Sequence, residues 1–410
     1  MAPPQSPLST DVLVVGAGPA GTAAAITLGR AGRDVTVVDK ATFPRDKCCG
    51  DGLTTLALRR LEQLGLDPGA VRSWQDVGSA WLRSPSGREV EVPLPVGQGS
   101  FAAIAPRLQL DAALVDLARA SGAKVHDGHG ATGVVGGDAE SVTVQVEGLG
   151  PVRTRYVIAA DGMWSPIRRS LGFTEPGYRG EWHAFRQYAS NVTGSARDRL
   201  WVWFEPDLLP GYAWSFPLPG GRANIGFGVL RDGVRRIQEM GAIWSDLLER
   251  PHVRAALGRG AEMEGRHLAW PIPTRIDRAT LAAGRVLFTG DAAGATDPMT
   301  GEGIGQALVS GELAAGAVLH AGALDPAGAR TRYTAAIHHH LVADHRMSVF
   351  VGRVLRRPFT TRAGVRAIGL NGWTRRSFAR WMFEDEPRAV LVTPSRWHRR
   401  FLHRDGAWAT

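Results

Sequence analysis

The stretch that most constrains this chain is residues 11–39, DVLVVGAGPAGTAAAITLGRAGRDVTVVD. A short apolar run at 12–15 has the character of a buried strand. It leads into Gly16-Ala17-Gly18-Pro19-Ala20-Gly21 and about ten small and apolar residues that read as a helix. A second apolar run at 35–38 ends in Asp39. Each part has a task in holding a dinucleotide. Gly16 permits the tight turn, Gly18 lets backbone N–H groups approach a pyrophosphate, and Gly21 lets helix and strand pack closely. The helix N-terminus offers unpaired N–H groups and partial positive charge to the phosphates. Asp39, 18 residues beyond Gly21, can accept hydrogen bonds from a ribose diol. A GxGxxG alone is weak evidence. With both strands and the acid in place, it outweighs a glycine turn in an ordinary α/β unit.

At 410 residues the chain can bury a large core, and two interleaved lobes are expected. No run of 18 apolar residues offers a membrane span. Residues 1–10 lack a basic start and an apolar stretch, so they read as a loose tail and not a signal peptide. The only cysteines, Cys48 and Cys49, are adjacent and poor disulfide partners, which fits a reducing cytoplasm. Residues 330–410 hold 16 arginines and no lysine against five acids, whereas the whole chain carries +9. Trp373, Trp381, Trp397 and Trp408 are spread through this basic stretch. The combination suits an anionic lipid surface at the inner face of the membrane, or a phosphorylated ligand. It equally suits a solvated arginine-rich surface. Nucleic acid is disfavoured, because no recognition motif accompanies the charge.

Residues 41–53 form a loop dense in chemistry, and 54–64 have helical leucine spacing. Strands are expected around a turn at 84–87 within 77–92, and at 124–127, 141–147 and 152–158. Between them an amphipathic helix runs from Arg107 to about 121. The strand at 152–158 delivers Ala160-Asp161-Gly162 into a turn, the second piece of a dinucleotide fold. Residues 182–230, rich in Trp, Phe and Tyr, suggest a separate antiparallel sheet, and 237–257 a helix. The strand from 285 closes on Gly290-Asp291, and 297–307 feed a helix reaching about 319. Mainly helical structure follows to 387. The expected fold is α/β: a Rossmann-like FAD-binding domain, an inserted antiparallel substrate sheet and a helical C-terminal region. The divisions fall at 1–176, 177–278, 279–330 and 331–410.

Three separated segments, at 16–21, 160–162 and 290–291, point to FAD more than to NAD; a nicotinamide dehydrogenase would normally need only the first. The pattern resembles the flavoprotein group containing para-hydroxybenzoate hydroxylase. That resemblance implies that Asp291 binds the ribityl chain. It also implies that the helix start around Gly301, Gly303 and Ile304 faces the isoalloxazine N1–C2=O, where a helix dipole stabilises negative charge. Alone, Gly290-Asp291 would read as a capped helix start. The cofactor set is completed by Lys40, Arg45, Arg107 and Asp161. No second GxGxxG has strand and helix context, so a nicotinamide donor would bind without its own Rossmann domain.

Tyr212, Trp214 and Phe216 share one face of a strand, as do Trp201 and Trp203. Such faces build either a sheet core or the wall of an apolar cavity, and pattern alone favours core. Across most of its length the chain resembles the geranylgeranyl reductase family. The resemblance rests on residues 43–53 (FPRDKCCGDGL), 210–217 (PGYAWSFP) and 290–304, with Tyr212, Trp214, Phe216, Pro217, Gly226 and Gly228 meeting its sheet motif. It implies an FAD enzyme that saturates C=C bonds of isoprenoid chains, with those sheet residues lining the lipid tunnel. It also places a catalytic Cys-Gly pair on Cys49-Gly50. Cys49 is alternatively a small residue packed beside the flavin. Lys47 is not at the family's lysine position. Electrons would come from NADPH, a ferredoxin or a flavin reductase. The rival is a flavin monooxygenase or halogenase. Halogenases rely on a tunnel lysine, and Lys40, Lys47 and Lys124 all fall in the nucleotide-binding part. A non-catalytic lipid or flavin carrier is a third class. No metal is expected: His338, His339, His340 and His345 have no Cys or paired acids nearby in sequence.

Overall fold

A computed structural model describes residues 8–95, 98–231, 239–397 and 403–409. The chain begins with β1 (Leu8–Val15), α1 (Pro19–Arg30) and β2 (Val35–Asp39). Then come β3 (Gly52–Leu53), α2 (Thr55–Gln63), β4 (Gln75–Asp76), β5 (Ser79–Arg83), β6 (Glu89–Pro93) and β7 (Ala103–Ile104). Helix α3 (Arg107–Ala120) precedes β8 (Lys124–Asp127), β9 (Ala131–Gly137), β10 (Val142–Val146), β11 (Gly150–Ala159) and α4 (Pro166–Ser170). Four strands follow: β12 (Trp182–Ser190), β13 (Leu200–Trp203), β14 (Tyr212–Leu218) and β15 (Arg222–Leu230). Helices α5 (Met240–Glu249) and α6 (Pro251–Leu257) lead to β16 (Glu262–Ile272), β17 (Ala282–Ala283) and β18 (Val286–Phe288). Among the described residues five α-helices come next: α7 (Ile304–Ala321), α8 (Pro326–Ile337), α9 (Ala343–Leu355), α10 (Pro358–Ile368) and α11 (Gly372–Met382).

The first sheet has the order β17-β18-β11-β1-β2-β8, parallel from β18 to β8, with β10 and β9 extending β11 antiparallel. A parallel strand is covered on both faces, which is why Val12, Leu13 and Val14 are fully buried rather than alternating. Helix α1 starts at Pro19, where the fixed φ of proline suits a first turn. Its alanines let α7 come very close: a Cβ on Gly311 would lie 2.1 Å from the Ala20 carbonyl oxygen.

The second sheet has the order β16-β12-β15-β14-β13-β5-β6, antiparallel except where β13 meets β5. One face packs under α5 and α6 through Trp201, Trp203, Phe227 and Trp244. On the other face Leu82, Val90, Val92 and Val202 share a cluster with Val365, Ala379 and Phe383 of the C-terminal region. The α/β fold with its inserted antiparallel sheet and C-terminal helices is therefore as expected.

Two local features differ from the sequence reading. Strands β5 and β6, placed with the nucleotide-binding part in a division at 176, belong to the second sheet. Alternation reveals a strand, but its partner is chosen by topology. The helix expected over 237–257 is broken between α5 and α6 at Arg250, because a residue before proline is pushed out of helical geometry. Its expected start at 237 lies outside the described residues. The histidine cluster falls in a π-helical turn, His338–Val342, with the His339 and His340 rings edge to face at 4.8 Å.

Candidate active site

The nucleotide end is built by the β1–α1 turn. Gly16 takes φ +99°, a left-handed conformation that disfavours a side chain, and a Cβ there would lie 2.3 Å from the Ala160 carbonyl oxygen. That contact sets the 160–162 turn against the glycine turn. Gly21 approaches as closely, its missing Cβ being 1.8 Å from the Gly16 carbonyl oxygen. Asp39 accepts hydrogen bonds from Ala17 N (2.7 Å) and Ala41 N (2.8 Å), one on each oxygen. Each oxygen keeps a further lone pair for a ribose hydroxyl.

Beyond Gly18 stand two guanidinium groups. A Cβ on Gly18 would lie 3.7 Å from Arg45 Nη2 and 4.0 Å from Arg107 Nη2. Both arginines are held by Asp111: Arg107 by two 2.7 Å bonds and Arg45 by one contact of 2.8 Å. A helix N-terminus with two arginines beside it suits a pyrophosphate. Asp161 instead braces the start of α4, whose N-cap is Ser165: one oxygen accepts from Ser165 Oγ (2.7 Å) and Ile167 N (3.2 Å). Its other oxygen is buried without a hydrogen-bond partner, and burial pushes the carboxyl up to about 6. Lys40 is exposed and does not reach the central cavity.

That cavity has a volume of about 520 Å³. One end is walled by Gly18, Pro19, Ala20, Arg107, Gly290 and Asp291, with Gly301, Gly303 and Ile304 at the start of α7. Asp291 accepts from Thr296 Oγ1 (3.2 Å) and faces Lys47 Nζ at 3.4 Å. Lys47, expected only with the nucleotide-binding part, thus also lines the cavity. The middle holds Cys49, Gly50, Tyr212, Trp214, Phe216 and Gly228, and the far end Val351, Leu355, Val365 and Phe378 of α9–α11. Tyr212 donates to the Thr300 carbonyl, tying β14 to the loop ahead of α7. The two aromatic faces therefore divide: Tyr212, Trp214 and Phe216 wall the cavity, whereas Trp201 and Trp203 are core.

Two expected substrate residues are placed elsewhere. Pro217 alternates to the opposite face of β14. Gly226 lies beneath Trp214, where a Cβ would be 2.4 Å from the indole.

The 47–52 loop is fixed by a buried polar hub that the sequence reading missed. Asp51 is fully buried at φ +64°. It accepts from Tyr188 Oη (2.6 Å), Asn224 Nδ2 (2.8 Å) and Arg107 N (3.2 Å). Asn224 also donates to the Cys49 carbonyl at 2.9 Å and accepts from Trp214 Nε1 at 3.1 Å. Arg186, 3% exposed, donates to the Cys49 carbonyl at 3.2 Å and to Asp46 at 2.7 Å. An arginine and a tyrosine two residues apart on one face of an apolar strand are the signal that could have found them. Burial pushes the Cys49 thiol up despite Arg107, so it stays protonated at neutral pH. Cys48 is pushed up to about 12 by burial and donates to the Leu268 carbonyl at 3.4 Å. Gly50 and Gly52 lie flat under the aromatic wall, their missing Cβ atoms 3.3 and 3.1 Å from the Phe216 ring.

A glycine turn with paired arginines, a ribose-side carboxylate and a second cavity-facing helix start define a flavoprotein oxidoreductase. Residues 9–309 match the FAD-binding domain family, and the chain belongs to it, within the branch of the geranylgeranyl reductases. The menaquinone reductase of Mycobacterium tuberculosis is 37% identical over 333 residues, 75% of this chain and 76% of its own. Digeranylgeranylglycerophospholipid reductase 2 of Methanopyrus kandleri is 31% identical over 309 residues, 74% of this chain and 75% of its own. Among solved structures, a geranylgeranyl bacteriochlorophyll reductase-like protein from Thermoplasma acidophilum superposes with a TM-score of 0.80. It is 22% identical and covers 96% of this chain and 100% of its own. A myxobacterial chondrochloren halogenase shares the fold at a TM-score of 0.71 and 16% identity, covering 93% and 92%. The resemblance read from residues 43–53, 210–217 and 290–304 is borne out. Among the described residues no helix is long and apolar enough to cross a membrane.

Proposed function

We propose that the protein saturates C=C bonds of an isoprenoid chain, carried by a prenylated quinone or a geranylgeranyl-type lipid. The observation that carries this reading is the cavity: apolar and aromatic through its middle, and continued between the second sheet and α9–α11. The names of the curated relatives, menaquinone reductase and digeranylgeranylglycerophospholipid reductase, support the substrate class. When bound, FAD supplies the electron pair that leaves as hydride. The protein's own residues do the rest. The α1 N-terminus with Arg45 and Arg107 binds phosphate, and Asp39 the ribose. Tyr212, Trp214 and Phe216 hold a flat alkene and exclude water, which gives proximity without hydration of the reacting carbons. Cys49, a neutral thiol beside Gly50, is a proton-bearing group at that edge. The electrons come from NADPH, a ferredoxin or a flavin reductase, and a nicotinamide donor would dock without a Rossmann domain of its own.

The outer faces of α9–α11 extend the reading to a membrane surface. Phe350, Val354, Phe359, Leu370 and Trp373 are exposed there, interspersed with the exposed Arg353, Arg356, Arg357, Arg362, Arg366 and Arg376. Aromatic and arginine side chains on one surface suit the headgroup region of an anionic bilayer.

The second reading, oxygenation or halogenation, is favoured by one observation, the cavity-lining Lys47; its pairing with Asp291 argues against a free tunnel lysine. Product mass separates the two. Dithionite-reduced holoenzyme is incubated with menaquinone or geranylgeranyl diphosphate, with and without oxygen. A gain of about 2 mass units per double bond without oxygen is expected. Product formed only with oxygen, carrying oxygen or halogen, overturns the reductase reading.

A further inference from the structure

Saturating an isolated double bond takes a proton as well as a hydride, yet the middle of the cavity is apolar and aromatic. Two buried carboxyl groups behind it have no role so far. Glu302 lines the cavity just ahead of α7, and its Oε1 accepts from Gly305 N at 2.7 Å. Glu384, beyond α11, accepts from Gln306 Nε2 at 2.8 Å on one oxygen and from Thr54 Oγ1 at 3.0 Å on the other. Glu384 also lines a second, polar cavity of about 170 Å³, together with Gln306, His340, Asp344, Arg388 and Arg396. Asp297 borders both cavities. Carboxyl groups thus stand on both sides of the boundary, Glu302 on the apolar cavity, Glu384 on the polar one and Asp297 on both.

We propose that Glu302 and Glu384 form a proton route from the polar cavity to the double bond, with Glu302 on the substrate side. The proposal rests on the reductase reading. Hydride brings its electron pair to one alkene carbon, and the other carbon forms a C–H bond to a proton. That proton leaves the Glu302 O–H group by way of the Cys49 thiol or a water molecule, each giving one proton and taking one. Glu302 is left as a carboxylate and regains its proton from Glu384. Glu384 in turn takes one from water in the polar cavity, so the pair ends as it began.

The charges around the pair suit this work. Burial, then the charge of Glu384, pushes Glu302 up to about 8. Burial, opposed by Arg388 and aided by Asp297, pushes Glu384 up to about 7. Asp297, despite its burial, is held low by Arg388, whose Nε lies 3.5 Å from its Oδ1. The groups facing the pair are Asp297, Arg388, Asp344 and His340 on the polar side, with Cys49 and Tyr212 on the cavity side. At neutral pH the pair therefore holds a proton beside a fixed ion pair.

The test compares wild type with Glu302→Gln, Glu302→Asp and Glu384→Gln, all as flavin-retaining holoenzyme. The first readout needs no turnover: the infrared C=O stretch of protonated carboxyl groups in the oxidised resting protein. A band present at pH 6, lost as pH rises through about 7 to 8, and weakened in each Gln variant is expected. The second is single-turnover alkene reduction with menaquinone after dithionite reduction. Glu302→Gln is expected to slow it about 100-fold, and Glu302→Asp to restore part of the rate. Flavin reduction by dithionite should be unchanged. Glu302→Gln turning over at the wild-type rate with the wild-type pH profile overturns the route and leaves the reductase intact. No reduced product from wild type overturns both.

Discussion

Asp51 shows how much of the site hangs on one residue. It sits in a left-handed conformation between two glycines and collects hydrogen bonds from Tyr188, Asn224 and the Arg107 backbone. Asp51→Ala leaves buried donors on Tyr188 and Asn224 without a partner, at about 1–3 kcal/mol each. A loss of several degrees in Tm and weaker flavin retention are expected. The hub also has a pH signature. Burial, against the Tyr188 and Arg186 interactions, raises the Asp51 carboxyl from 3.8 to about 6. Between those values the folded state binds more protons than the unfolded state, so this residue's contribution falls as pH rises and is flat above about 6. Asp51→Asn removes the slope, and urea midpoints of the two proteins at pH 4.5 and 7 check it. Sequence reading quoted Asp51 only as part of a loop. Its partners lie 56 to 173 positions away, and nothing local announces a hydrogen bond over such a distance.

At the scale of elements, β14 and β15 show what periodicity can and cannot tell. Alternation placed Tyr212, Trp214 and Phe216 on one face, and the structure agrees. It could not say which aromatic face met a cavity, because both faces of the second sheet are covered, one by α5 and α6 and the other by α10 and α11. It also could not bring β5 and β6 across to that sheet. The β14–β15 register makes Gly226 the support of the aromatic wall, directly under Trp214. A Cβ at this position lies 2.2 Å from the Phe185 carbonyl oxygen and 2.4 Å from the indole, so Gly226→Ala displaces both β12 and Trp214, at about 1–3 kcal/mol. A changed near-ultraviolet tryptophan signal with slower turnover on long-chain substrate is expected; an unchanged signal with full activity shows that the indole is not held there.

In the whole molecule the C-terminal region packs against both lobes, on the second sheet through Val365, Ala379 and Phe383 and on the first lobe through α2 and Trp74. Thr55 N donates to the Phe383 carbonyl at 2.8 Å, Arg59 pairs with Asp385 at 2.5 Å, and Trp408 meets Trp74 edge to face at 5.6 Å. Deleting this region to test membrane contact would therefore dismantle the core, and changes on its outer face are the better probe. Phe359→Ser with Trp373→Ser is expected to lower co-sedimentation with phosphatidylglycerol vesicles about tenfold, leaving Tm within roughly 1 °C. Binding that survives these changes sinks the membrane reading. The basic, tryptophan-bearing stretch was legible in the sequence. What it could not display is that its helices are two-sided, with Val351, Leu355 and Val365 facing the cavity and Phe350, Val354 and Arg366 facing solvent.

That two-sidedness changes what concentration means for such an enzyme. If its outer face rests in lipid, as proposed, a roof with its other face on the chamber lets a substrate pass sideways from leaflet to flavin without crossing water. Turnover then follows the mole fraction of substrate within the bilayer, and inert lipid added at constant total substrate acts as a diluent in two dimensions.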